Sequence, residues 1–235
     1  MTEAIMTEAW PLQLLIWLSP AFPVGSFACS HGLEWAVGSG AIADRGHAEA
    51  WLRDLVTAGG PRNDTILLAA AWHAITANDM STLLEVNDLA LALAGSRERY
   101  LETSTQGNAF MVTLLAAWQR PDLGPALSDT RAALAADVAY PVAVGIAAGV
   151  YRLALLPTLQ SYAIAGTGNL CSALVRLGAI GQTDAQRIQA ALLPVLLTLA
   201  DAAGQSTLDD LGGAAFGSDL AAIAHETQDT RLFRS

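Results

Sequence analysis

Apolar residues recur at helical spacing along most of this sequence. After Asp44, a good helix N-cap, Ala48, Trp51, Leu52 and Leu55 fall at i, i+3, i+4 and i+7 and leave His47, Glu49, Arg53 and Asp54 for water. An amphipathic helix is predicted there, ending at Gly59-Gly60. Similar patterns predict helices over 64–77, 81–94 and 96–119, the last with Met111, Leu114, Leu115 and Trp118 in register. Trp10 to Leu18 reads as a short buried helix, stopped by the prolines and glycine of Ser19-Pro-Ala-Phe-Pro-Val-Gly-Ser. Residues 130–155 read as helical with an interruption near Pro141, and Gly166-Thr-Gly168-Asn as a tight helix break. Thr183-Asp-Ala-Gln186 has the form of a capping box, and Ile188, Ala191, Leu192, Val195 and Leu199 continue as one apolar stripe that Pro194 should kink. No strand alternation rivals these patterns, and neither a tandem repeat nor a low-complexity linker divides them. The pattern predicts an all-α, single-domain bundle of about ten helices over residues 1–235, with a disordered start over 1–9 and a flexible C-terminal tail.

Composition narrows the chemistry. Alanine and leucine dominate a chain long enough to bury a large core, which favours helix. A net charge of -10 argues against nucleic acid and against an acidic membrane surface. All twelve basic residues are arginines, so there is no P-loop lysine, no Schiff-base lysine and no lysine general base. Any nucleotide chemistry therefore belongs to a partner. The uncharged stretches 9–33 and 153–175 are broken by proline, glycine or polar residues and lack a positively charged leader, so they read as buried helical segments and not as a signal peptide or membrane span. Two cysteines in a chain of this length fit a reducing, cytoplasmic setting.

Candidate reaction centres are few. The histidines His31, His47, His73 and His225 show no i, i+4 pair of the kind that places metal ligands on one helical face. Cys29-Ser-His31 is the local Cys/His pair that could touch a transition metal; otherwise it is a loop thiol beside a polar imidazole. Asp209-Asp210 lacks the further acid a magnesium-diphosphate site needs and reads as a solvated turn, and no serine sits in a Gly-x-Ser-x-Gly elbow. The ending combines Arg231 and Arg234 with Leu232 and Phe233 on an otherwise acidic protein, the composition of a binding hot spot. The residues alone leave two readings of it open, a docking segment or a frayed terminus.

Taken together, these segments resemble the UreF family of urease accessory proteins. Ser19-Pro-Ala-Phe-Pro-Val-Gly25 followed by Gly32-Leu33-Glu34 looks like the family's Ser-Pro-x-x-Pro-x-Gly and Gly-Leu-Glu. Asn169, Ala173, Arg176 and Leu177 lead into Ile180-Gly181-Gln182-Thr183-Asp-Ala-Gln186, similar to the family's Leu-Gly-Gln-Thr-x-Gly-Gln turn, and Arg231-Leu-Phe-Arg-Ser235 is similar to its bacterial tail. Ala185 stands where the family often has glycine, and Cys29 and Asp229 stand where aromatics are common.

The resemblance implies an all-α homodimer without catalysis of its own. It would bind UreD (also called UreH) and through it apo-urease, then recruit the GTPase UreG so that GTP hydrolysis is coupled to nickel insertion. GTP and magnesium would sit on UreG, nickel would be handled by the assembled complex, and this chain would hold no cofactor tightly. Glu34 and Arg176 would be polar surface positions facing a partner, with Gln182 and Gln186 shaping the turn beside them. The C-terminal helix and tail over 217–235, with His225, Arg231, Leu232, Phe233 and Arg234, would dock UreD. Two rival readings are an α-helical enzyme acting on an apolar small molecule and a chaperone that carries nickel directly through Cys29 and His31.

Overall fold

The computed structural model describes residues 10–118, 123–134 and 137–235. The expectation for residues 1–9, and the last residue of the helix predicted over 96–119, lie outside them. The described residues form an all-α fold: α1 (Gln13–Trp17), α2 (Leu33–Gly38), α3 (Arg45–Ala58), α4 (Gly60–Thr76), α5 (Met80–Ala92), α6 (Arg97–Ala117), α7 (Gly124–Ala133), α8 (Tyr140–Val150), α9 (Leu155–Arg176), α10 (Gln182–Ala203) and α11 (Phe216–His225). Short 3₁₀ turns cover Ser26–Ala28 and Leu208–Asp210. No helix among the described residues is long and apolar enough to cross a membrane.

Helix starts follow local chemistry. The carboxylate of Asp44 accepts the N–H of His47, that of Asp79 accepts the N–H of Thr82, and the hydroxyl of Ser96 accepts the N–H of Arg99. Pro61 and Pro141 sit in the first turns of α4 and α8, where a missing N–H costs nothing. The break in 130–155 consequently falls before Pro141, and α4 starts at Gly60, earlier than its periodicity suggests.

Two local expectations are corrected. Gly166 and Gly168 do not break a helix; α9 runs through both. The capping box at Thr183 is absent, because α10 already begins at Gln182 after Gly181, with no side-chain cap. A capping box does form at Thr207–Asp210, where the Asp210 carboxylate accepts the N–H of Thr207 at 2.8 Å. Pro194 lies inside an unbroken α10 on its exposed side, so the carbonyl it leaves unbonded, that of Ala190, is not trapped in the core.

The helices bury two apolar clusters. One is centred on α4 and α8, with α1, α5, α6 and α7 around them. From Pro141 to Val150 every residue of α8 is buried. Its glycines permit this: a Cβ on Gly145 would lie 2.6 Å from the Leu68 carbonyl oxygen, and one on Gly149 would strike Ile75 at 2.7 Å. The second cluster joins α2, α3 and α11 to α9 and α10. Helices α9 and α10 contribute to both, through Leu159 and Ala200 to the first and through Leu170 and Leu192 to the second.

Candidate functional site

The densest polar construction lies where the loop before α2, the start of α6 and the C-terminal tail meet. After the 3₁₀ turn, Cys29 is extended, and His31 and Gly32 both take left-handed dihedrals, φ 55° and 76°. This double turn aims Ser30 and Glu34 at the tail. Gly32 is required twice over, since its φ is positive and α11 crosses it so closely that a Cβ would lie 2.6 Å from the Ala222 nitrogen.

The segment after α11, expected to be a flexible tail, has no regular secondary structure, yet it is tied to the body along its length. The Arg231 guanidinium donates to Glu98 at 2.5 Å. The main-chain N–H groups of Leu232 and Phe233 donate to the Glu34 carboxylate at 2.6 and 2.8 Å. The Arg234 N–H donates to the Ala28 carbonyl, and the N–H and hydroxyl of Ser30 donate to the backbone oxygen of Ser235. The Phe233 ring is buried in the second cluster, with the Arg176 guanidinium 4.4 Å above its centroid. Arg176 also donates to the Phe27 carbonyl, and Asn169 donates to that of Ser26, so α9 fixes the motif loop from the other side.

Beneath the tail, His225 is fully buried. Its Nδ1 lies 2.6 Å from Glu98 Oε2 and its Nε2 3.2 Å from Glu34 Oε2. Beside it, Glu102 accepts from Arg99 at 2.6 Å, from the Ser235 hydroxyl at 2.7 Å and from the Gln106 amide at 3.1 Å, and its other close contact is His31 Nε2 at 2.9 Å. Burial alone would raise the Glu102 carboxyl, but the Arg99 charge, His31 and the Ser235 hydroxyl outweigh it and hold it well below the usual carboxylate range. Glu34 behaves likewise: burial raises it, and the Leu232 and Phe233 N–H groups together with His225 bring it below its ordinary value.

A cavity of about 400 Å³ adjoins this network, with His31, Asp64, Arg99, Glu102, Tyr140 and Tyr162 among its walls. Asp64 is poorly served there, because its closest cationic nitrogen, on Arg99, is 3.9 Å away and beyond hydrogen-bond reach. Burial raises its pKa, and Arg99 and His31 only partly oppose that. Asp64→Asn should therefore stabilise the fold by about 1 kcal/mol at neutral pH. The gain should vanish once acid has neutralised the wild-type carboxyl, and urea titrations of the two proteins at several pH values would check both statements. A loss of stability at neutral pH would contradict the assignment.

The structure brings together most residues singled out from the sequence, but turns three expected partner-facing residues, Glu34, His225 and Phe233, into the body of the chain. Glu34 is not a surface position: it is 8% exposed, because it is turned inward to receive the tail. Phe233 and His225 are buried, whereas Arg176, Arg231, Leu232 and Arg234 are exposed. Gln182 and Gln186 are exposed at the start of α10, and among the described residues neither bonds to Glu34 or Arg176. Cys29 is buried, and burial followed by the Glu102 charge pushes its thiol up to about 12, so the metal-binding thiolate is disfavoured. Among the described residues no three His, Cys, Asp or Glu side chains are grouped to hold a metal.

Glu98, Arg99, Glu102 and Ser30 were not apparent from sequence. A signal exists for part of the set: Glu102, Gln106, Phe110 and Leu114 follow at four-residue steps, and all are buried. A helical stripe that begins polar and ends apolar on one inward face marks a buried polar site.

Fold and site define an all-α body whose most elaborate feature is a tail bound to its own surface. A family model described as UreF matches residues 42–193. A protein of Methylobacterium radiotolerans named "Urease accessory protein UreF" is 49% identical over 228 residues, covering 95% of this chain and 96% of that protein. Its namesake from Xanthobacter autotrophicus is 50% identical over 224 residues, covering 95% of this chain and 90% of that one. The chain belongs to the UreF family.

Proposed function

We propose that this protein is a urease accessory protein that acts by docking other proteins, with α11 and the tail as its principal binding surface. One observation carries the reading. Along α11, Phe216, Leu220 and Ile223 stand at i, i+4 and i+7 and are 72%, 64% and 50% exposed, with Leu232 of the tail exposed as well. Arg231 and Arg234 on the tail, and Arg176 beneath it, add positive charge on a protein of net charge -10. An apolar centre with an arginine rim is the anatomy of a protein interface, and it calls for a partner surface that is apolar with acidic flanks.

In this reading the partner is UreD (UreH), through which the protein reaches apo-urease. The pair then recruits the GTPase UreG, so that GTP hydrolysis on UreG, with its magnesium, accompanies transfer of nickel as cargo into urease. The protein works as a homodimer in the cytoplasm and catalyses nothing itself. Family membership supports the role in urease maturation, and the exposed α11 face supports docking as its means.

The test is co-purification with UreD, UreG and apo-urease. Phe216→Ala, Leu220→Ala and Arg234→Ala combined should leave helicity intact and weaken UreD capture by a few kcal/mol, on the order of 10²-fold or more. Unchanged capture, or turnover of a substrate by the isolated chain, would overturn the proposal.

A further inference from the structure

We infer that the cavity beside the tail cradle is a binding site for a small organic cation, an ammonium group on an apolar stem, with Asp64 as its counter-ion. The inference is independent of whichever protein the α11 face binds.

Asp64 is a charge without an answer. Arg99, its nearest cation, is committed to Glu102 at 2.6 Å and stands 3.9 Å from the Asp64 carboxylate. Glu102 also takes the contact with His31. The Arg99–Glu102 pair is neutral by itself, so the negative charge of Asp64 is left over. A charge removed from bulk water without a partner is costly. Yet the side chain is not sealed away: it is 24% exposed and forms part of the cavity wall, where an entering ligand can touch it. Asparagine there should be the more stable residue, and a stability deficit of that kind is what binding sites carry.

The other walls suit the same ligand. At about 400 Å³ the cavity falls within the size range of small-molecule sites. Leu18, Val24 and Ile164 offer apolar surface to a stem. The rings of Tyr140 and Tyr162 line the same space, their centroids 5.6 Å apart and their planes 44° from parallel, and tyrosine rings attract cations. Among the described residues neither hydroxyl has a hydrogen-bond partner. Burial, followed by the Asp64 charge, raises the Tyr162 phenol well above its usual value. It therefore stays a neutral hydroxyl, whose oxygen can accept from an ammonium.

Other ligand classes fit less well. An anion would meet the carboxylates of Asp64 and Glu102. A neutral molecule would leave Asp64 unpaired. A metal ion would want further ligands, and among the described residues no three His, Cys, Asp or Glu side chains are grouped to supply them. An ammonium brings both the missing charge and the donors.

Calorimetric titration of the full chain with phenethylammonium and with its neutral isostere 2-phenylethanol tests this. Physiological ionic strength screens loose attraction to a protein of net charge -10. The ammonium should bind about tenfold more tightly than the alcohol, and it should move the ring resonances of Tyr140 and Tyr162 in nuclear magnetic resonance spectra. Asp64→Asn should erase the preference while melting no lower than the wild type, which separates lost binding from lost folding. Tyr162→Leu keeps Asp64 and should weaken the ammonium about 3- to 30-fold, whereas Tyr162→Phe, which keeps the ring, should weaken it less. Equal affinity for the two probes, no binding of either at millimolar concentration, a preference that survives in Asp64→Asn, or binding that leaves both tyrosines unmoved would each overturn the inference. None of these readouts involves the α11 face, so failure of UreD capture would leave the inference standing, and the reverse holds too.

Discussion

Glu34→Ala is expected to free the tail and to cost about 3–5 kcal/mol of stability, the range for removing one member of a buried charged network. The loss is large because Glu34 gathers the N–H groups of Leu232 and Phe233 and faces His225. Without the carboxylate these donors stay buried and unanswered, or the tail leaves and exposes Phe233. Glu34→Gln keeps one acceptor oxygen and should lose less. The carboxyl is held below its ordinary value in the folded chain, so its stabilisation is complete above about pH 4.3 and fades as acid takes the pH through the lower folded value. Urea unfolding at pH 7 and at pH 4 would measure both effects. A deficit under 1 kcal/mol at pH 7 would show that the tail contributes little to the folded state.

The other large effect is expected at Gly32. Alanine there would hold a left-handed dihedral at about 1–2 kcal/mol and would press into the backbone of Ala221 and Ala222, where overpacking adds about 1–3 kcal/mol. Gly25 is the natural comparison, with φ 78° and nothing within 4 Å of an added Cβ. Gly25→Ala should show the conformational cost alone. The difference between the two melting curves therefore reports how tightly α11 lies on the motif loop. Equal losses at both positions would mean that α11 yields readily.

Much of the fold was readable because its information is local. Asp44 and Ser96 cap helices where their side chains can reach the third N–H, and the apolar stripe of α3 follows a simple period. Reading failed where packing overrides local preference. Gly166 and Gly168 look like breakers, yet α9 continues through them because its inward residues, Ala163, Thr167, Leu170 and Leu174, hold it to its neighbours. The site was legible as a set of residues and not as a geometry. Glu34 looked like a surface acid because the groups that bury it, Leu232 and Phe233, lie at the far end of the chain. Glu98 and Glu102 look like solvated charges at a helix start until the tail is laid over them. No periodicity records such distant pairings.

Helices α9 and α10 supply walls to both apolar clusters at once. Neither half can melt alone, since losing one would strip the shared walls from the other. The chain should consequently unfold in a single cooperative transition, and a disturbance in the tail cradle would be felt as a change in the melting of the whole.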